Sequence, residues 1–487
     1  MTMQTRTQNF AHRLLGASGA LLLVALAGCA GGPDFKAPAA PRVTAYTATP
    51  LVAQSASAPV SQGETQRIVA GTNIDAQWWR SFESPKLDAL IDQALQDNPT
   101  LTAARATLNQ AQELYAAQAG STRYPQVDAG LTGERQRFNP GVLGQTAAAR
   151  AFTLYNASVG VRYNLDLAGG NRRALEALAA RADYRRYELE AARLTLIGNI
   201  ATAVITQAKL AAQIEASTAI LRAQEKQLEL ARSRVRLGQA SPDEVLSLTT
   251  QAEQTRAELP AYRKQLQQIE HLLATLAGRA PGAGGIPAFT LADFTLPKDL
   301  PLVVPSQLVR RRPDIRASEA LLQAANADYG VAVAKLYPQL NLSANLGSQA
   351  LSNAALFSPA SLVWSLIGQL TQPLFNPGLP AEKRAALAAF DAAAANYHGV
   401  VLDALRNVAD ALRAVDEDAQ TLSALATADA AAQGSLRSVE RQYQFGAASY
   451  LQVLIAQQQA QRTRLALAAA QAQRLVDSVA LMQAIGG

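Results

Sequence analysis

The feature that most constrains this chain is a helical stretch used twice. Asn171 to Leu237 holds no proline and one glycine, Gly198. An unbroken α-helix over those 67 residues would reach about 100 Å at roughly 1.5 Å per residue, far beyond the three or four turns usual in globular proteins. It stops at Leu237-Gly238. A second stretch of 67 residues, Leu379 to Phe445, has Pro380 only at its start and stops at Phe445-Gly446. Both stops carry the same chemistry. Glycine at C′ ends the helix. Serine then opens another, with Glu or Gln three residues on, in Ser241 to Glu244 and Ser449 to Gln452, the pattern of a capping box. Pro242 suits the first helical position. The predicted path runs out along a very long helix, turns sharply, returns, and later repeats this.

The repeat extends beyond the helices. Gly170 and Gly378, Gly238 and Gly446, and Ser241 and Ser449 are each 208 residues apart. Asn98-Pro99 and Arg312-Pro313, and Tyr124-Pro125 and Tyr337-Pro338, recur at slightly larger offsets, so the length difference falls between the strands. The predicted organisation is a first repeat over 76–280, with a strand pair at 125–167 and a helical hairpin at 171–277. A Pro/Gly-rich linker follows at 281–305. The second repeat covers 306–487, with a strand pair at 338–375 and a hairpin at 379–485. Along the first long helix, Leu196, Ile200, Ala203, Gln207, Leu210, Ile214, Ser217, Leu221, Gln224 and Leu228 keep heptad spacing.

After Tyr124-Pro125 the period changes to two. Val127, Ala129 and Leu131 alternate with Asp128, Gly130 and Thr132, and Tyr155 to Leu165 alternates likewise. Leu340, Leu342, Ala344 and Leu346 do the same in the second repeat, and Leu362, Trp364, Leu366 and Leu370 share a parity that Val363 and Ile367 blur. Such strands are long enough to cross a membrane when tilted. Taken alone, they fit half of a soluble sandwich equally well.

The first 28 residues read as a signal peptide: Arg6, His12 and Arg13 precede an apolar run that is too short for an ordinary membrane span. Leu26-Ala27-Gly28-Cys29 resembles a bacterial lipobox, which implies cleavage before Cys29 and lipid attachment to it. Residues 29–75, rich in Pro, Ala, Ser, Thr and Gln, are expected to be an extended lipidated segment. One cysteine excludes a disulfide framework and a cysteine-based metal cluster. The formal charge of +6, or +4 without Arg6 and Arg13, is too weak and dispersed for a nucleic-acid partner.

Four strands per chain are too few to close a barrel, and open sheet edges cannot face lipid. Three chains would supply twelve strands, an even number in the known range. The sequence resembles the TolC-like outer-membrane efflux factors, specifically their lipoprotein branch. The residues that carry the resemblance are Leu26-Ala27-Gly28-Cys29, Gly32-Pro33-Asp34-Phe35, Trp78-Trp79 with Phe82, Arg311-Arg312-Pro313-Asp314-Ile315, both Tyr-Pro strand entries and the paired hairpins. It implies a mainly α chain with a membrane β-barrel. In that fold a homotrimer shares a 12-stranded barrel, four strands per chain, continuous with a long α-helical barrel and a mixed equatorial region. It also implies an exit duct in the outer membrane, lipid-anchored and barrel-spanning, that serves a periplasmic adaptor and an inner-membrane efflux transporter. The competing readings are a protein-secretion duct and a non-channel structural lipoprotein of the envelope.

The resemblance implies a constriction at the helical turns, where relatives often carry aspartates. By spacing from the turn glycines those positions fall on Glu244, Gln452 and Ile455, of which only Glu244 is acidic. Glu244 and Gln452 also read as capping residues. Leu237, Gly238, Val245, Leu246, Phe445, Gly446, Val453 and Leu454 are expected at the tips, as a docking surface for adaptor or pump or as the hairpins' own small core. Asp416-Glu417-Asp418 is expected on a solvated face or a negatively lined tunnel. His271 and His398 are isolated, and neither a nucleophile–base pattern nor a metal-ligand cluster stands out. No catalysis and no cofactor is expected beyond the lipid on Cys29.

Overall fold

A computed structural model of the chain describes residues 31–71, 75–144, 146 and 148–487. The leader and Cys29 lie outside the described residues. In order, the elements are β1 (Arg67–Ala70), α1 (Pro85–Asp97), α2 (Pro99–Arg123), β2 (Gln126–Phe138), β3 (Arg150–Leu165), α3 (Gly170–Arg236) and α4 (Pro242–Leu276). There follow β4 (Asp299–Leu302), α5 (Pro305–Arg311), α6 (Pro313–Ala334), β5 (Gln339–Ala350), β6 (Leu362–Thr371), α7 (Gly378–Gln444) and α8 (Tyr450–Ala484). The long helices α3 and α7 are both 67 residues, and the return helices α4 and α8 are both 35. The chain divides into two compact units. Of the described residues, one comprises 31–38, Thr107–Arg186 and Ala317–Tyr397, and the other Ala39–Ala106, Tyr187–Arg316 and His398–Gly487.

The first unit is built on an antiparallel sheet of order β2-β3-β5-β6. Its register sets Val127 opposite Val161, Val161 opposite Ala344 and Ala344 opposite Leu366. Residues so paired share a face. One face therefore carries Val127, Leu131, Val159, Leu346, Trp364 and Leu366. The other carries the Asp128–Arg162 ion pair at 2.5 Å and an Asn164 to Asn341 side-chain hydrogen bond at 2.7 Å. The strand β3 starts at Arg150, earlier than the alternation from Tyr155 indicated, because Phe152 and Leu154 put apolar side chains on the polar face. The edge strands β2 and β6 are exposed along their full lengths.

At the start of α3 the same unit clasps the segment that follows Cys29. Arg173, 3% exposed, donates from Nε to the carbonyl of Gly31 (2.9 Å) and from Nη2 to the carbonyl of Gly32 (3.1 Å) and to Asp34 (2.7 Å). Gly31 lies against the Gly330 backbone, where a Cβ would come within 2.9 Å of the Gly330 carbonyl oxygen. Gly32-Pro33-Asp34 is therefore a docked segment, held by a buried guanidinium.

The second unit contains the hairpins from Tyr187 and His398 onward. The heptad positions Leu196, Ile200, Ala203, Gln207, Leu210, Ser217, Leu221 and Gln224 are buried, and Leu221 packs with Ala252 and Leu259 of α4. An 18-residue window of α3 is apolar enough to cross a membrane, but most of it is buried within the protein. Gly198, the lone glycine inside that helix, sits beneath Gln483 of α8; a Cβ there would fall 1.5 Å from its Nε2. The repeated Asn98-Pro99 and Arg312-Pro313 breaks perform one task in two chemistries. Asn98 Nδ2 donates to the carbonyl of Leu276, the last residue of α4 (2.9 Å). Arg312 Nη1 donates to the carbonyl of Ala484, the last residue of α8 (2.9 Å), while its other nitrogens fork onto Asp314 at 3.0 and 2.6 Å. Each satisfies a carbonyl that a helix end leaves open, and a cation there also opposes the negative end of the helix dipole.

Two features of this unit go beyond the sequence reading. First, the linker at 281–305 is packed: Phe289 and Phe294 stack at 5.8 Å, and both are buried with Leu296, Leu300 and Val303. The strand β4 within it pairs in parallel with β1. The polar segment before β1 is also locked in place. Arg474 of α8, 1% exposed, donates to the carbonyls of Gln62 and Glu64 (both 3.2 Å), to Ser55 Oγ (3.2 Å) and to Gln66 Oε1 (2.8 Å). Second, Asp416 is buried rather than solvated, and Asp418 is half-buried.

Asp418 faces Asp477, one turn along from Arg474 and 4% exposed. Burial, with the neighbouring Asp418 carboxylate, pushes the Asp477 carboxyl up to about 7. The folded protein therefore holds a proton that the unfolded chain releases at the ordinary carboxylate pKa. This contribution to stability is complete at low pH and is lost as pH rises through about 7. Denaturant melts between pH 5 and pH 8 are expected to show stability falling with pH, and Asp477→Asn should flatten that slope. An unchanged slope in the variant would exclude Asp477 as the titrating group.

Candidate functional site: the paired helical turns

Both turns belong to the second unit, and each is built by its own local sequence. Gly238 and Gly446 adopt φ of +72° and +75°, a left-handed conformation that glycine enters without steric cost. Around each glycine two backbone bonds close a Schellman motif. They run from Gly238 N to Val235 O (3.0 Å) and Gln239 N to Arg234 O (2.8 Å), and from Gly446 N to Tyr443 O (3.0 Å) and Ala447 N to Gln442 O (2.8 Å).

The restarts differ. In the second turn the capping box is complete: Gln452 N donates to Ser449 Oγ (3.4 Å) and Ser449 N to Gln452 Oε1 (2.7 Å). In the first, Ser241 Oγ accepts from Asp243 N (3.3 Å), and Glu244 does not reach back to cap. Its carboxylate instead accepts from Tyr443 Oη of α7 at 2.5 Å. Tyr443 Oη in turn accepts from Arg234 Nη1 of α3 at 2.7 Å, and the guanidinium lies 5.3 Å from the ring centroid. Tyr450 packs against Tyr443 with ring centroids 6.0 Å apart. Burial, then the bond to Glu244, raises the Tyr443 pKa, which keeps its proton in place as the donor. A relay Arg234–Tyr443–Glu244 thus ties both sides of the first hairpin's turn, the end of α3 and the start of α4, to the end of the other hairpin's long helix α7. Of its members only Glu244 was a sequence candidate. Tyr443 stands at the position that the repeat offset assigns to Val235, and that asymmetry is the signal that could have found it.

The tip residues separate into two groups. Leu237, Leu246 and Phe445 are exposed, Leu237 at 72% and Phe445 at 85%. Gly238 and Gly446 are exposed beside them, and Val245 and Leu454 are half-buried. Val453 is 3% exposed; of the two readings for the tip residues, it takes the hairpin's own core. Gln452 and Ile455 are exposed.

A four-stranded sheet with one apolar face and two open edges, on a chain that also forms two hairpins of very long helices, defines a subunit of a membrane channel. The family model for outer membrane efflux proteins matches residues 90–279 and 304–487. OprJ, an outer membrane protein of Pseudomonas aeruginosa, is 30% identical over 97% of this chain and 95% of its own length. The pyoverdine export outer membrane protein OpmQ of Pseudomonas putida is 32% identical over 85% and 88%. The outer-membrane channel OprN superposes with a TM-score of 0.83 at 28% identity, over 94% of this chain and 98% of that one. The chain belongs to the outer membrane efflux protein family. Its fold is that of the TolC-like channels, its place is the outer membrane, and its work is efflux.

Proposed function

We propose that the chain is the exit duct of a tripartite efflux pump and works as a homotrimer, passing substrates from an inner-membrane transporter and a periplasmic adaptor to the exterior. The observation that carries this is the sheet: four strands, an apolar face, and exposed edges at β2 and β6. Lipid leaves such edges unsatisfied, and joining β2 of one copy to β6 of the next satisfies them. Three copies give a twelve-stranded barrel, wide enough for a channel.

Within that duct the Arg234–Tyr443–Glu244 relay holds the two turns of each subunit together and narrows the pore, with Ile455 as an apolar lining. Gln452 serves chiefly as a cap. The exposed Leu237, Leu246 and Phe445 form the surface that meets the adaptor or pump, and a lipid on Cys29 anchors the chain to the membrane.

Cysteines placed singly at Ala129 or Leu131 of β2, combined with cysteines at Trp364 or Leu366 of β6, test the shared barrel. Oxidation in membranes is expected to give a ladder ending at three chains. Cross-linking that ends at two chains, or none for every pair, would contradict it.

A further inference from the structure

We propose that Arg135 and Arg137 form a binding site for the phosphate groups of lipids in the outer leaflet; this rests on the sheet being the wall of a membrane barrel. The register places both on the apolar face. Arg135 pairs with Thr153 and Arg137 with Ala151, in the same alternation as Val127, Ala129 and Leu131. On that face Tyr163 lies toward the helices and Tyr155 toward the β2–β3 loop. Tyr155 is fixed there, because its ring lies over Gly133, 3.4 Å from where a Cβ would stand. The two tyrosines are separated by about 27 Å along the strand at ~3.4 Å per residue. A tilt of ~40° reduces that to about 20 Å across the bilayer, close to the height of the apolar band that aromatic girdles bracket.

The next two positions on this face beyond the Tyr155–Gly133 pair are Arg135 and Arg137. They therefore stand at headgroup depth, on the side facing lipid. No carboxylate of the sheet neutralises them. Glu134 points to the opposite face by strand alternation, and Asp128 is engaged by Arg162 near the other end. Among the described residues neither guanidinium has a hydrogen-bond or ion-pair partner. Among the strand residues that share this face, Arg135 and Arg137 are the charged ones, and both are positive. Guanidinium forks match phosphate oxygens in two parallel bonds, so headgroups whose phosphates carry no balancing cation fit this position better than zwitterionic ones.

The test uses the full-length trimer in nanodiscs containing a diphosphoryl glycolipid of the lipid A type, its dephosphorylated form, or phosphatidylcholine alone. Retained lipid is counted by native mass spectrometry. Wild type is expected to retain the phosphorylated lipid roughly tenfold over the dephosphorylated one. Arg135→Gln/Arg137→Gln should lose that preference, and the double lysine variant should keep part of it. Equal retention of both lipids by wild type, or an undiminished preference in the glutamine variant, would overturn the site. Displacement of the lipid by micromolar soluble pyrophosphate would also overturn it, marking a free-anion site instead. Conductance of the same preparation separates the two failures: a conducting trimer without lipid preference removes this inference and leaves the channel standing.

Discussion

Charged replacements at Leu237 and Phe445 are expected to abolish efflux while leaving trimers intact. Both side chains lie just before the turn glycines and are exposed, at 72% and 85%. Neither stabilises its own hairpin, because Val453 and the heptad seam supply that core. Covering each on docking would contribute about 1.5–3 kcal/mol. Replacing each with glutamate would bury an unpaired charge, a cost of several kcal/mol. The effect multiplies over three subunits. The readout is accumulation of a fluorescent pump substrate in cells, with trimer content followed by cross-linking. Full efflux by Leu237→Glu/Phe445→Glu would end the docking role. A lost trimer would move those side chains into the subunit interface.

The second large effect is expected at the relay. Tyr443→Phe removes the oxygen through which Arg234 and Glu244 are joined, and with it two charge-assisted bonds of 2.7 and 2.5 Å. Such bonds contribute roughly 1.5–3 kcal/mol each, so the loss of even one shifts a closed-to-open equilibrium by about ten- to a hundredfold per subunit. Tyr443→Phe with Glu244→Gln should raise single-channel conductance or open probability several-fold. Gln452→Ala is the control. It removes a helix cap, at about 1 kcal/mol, without touching the relay, and should leave conductance near wild type. Equal effects from both variants would mean that helix fraying opens the pore, not the relay.

Much of the fold is written in local signals. Glycine at C′ and serine at the N-cap fix where the helices turn, and the shared 208-residue offset makes the two hairpins equal. Strand alternation set the two faces of the sheet, except where Phe152 and Leu154 interrupt it. What local signals do not carry is which distant residue a side chain will meet. Glu244 looks like a cap because Ser241 stands three residues before it, yet its partner Tyr443 is 199 residues away. The segment 55–66 reads from its polar composition only as extended chain. Its order comes from Arg474, more than 400 residues further on, whose buried charge is met by carbonyls of that segment and by Gln66. Residues 281–305 look like a linker by their proline and glycine, but Phe289, Phe294 and Leu300 are the residues that pack. Apolar side chains inside a breaker-rich stretch mark a packed crossing better than its prolines mark a loop.

If copies of this chain enclose a water-filled path through the outer membrane, the purified trimer must conduct ions, which single-channel recording in planar bilayers reads. The expected record shows discrete, uniform conductance steps that enlarge or lengthen in the Tyr443→Phe/Glu244→Gln variant. Folded trimers that insert but give no steps, in wild type and variant alike, would contradict it.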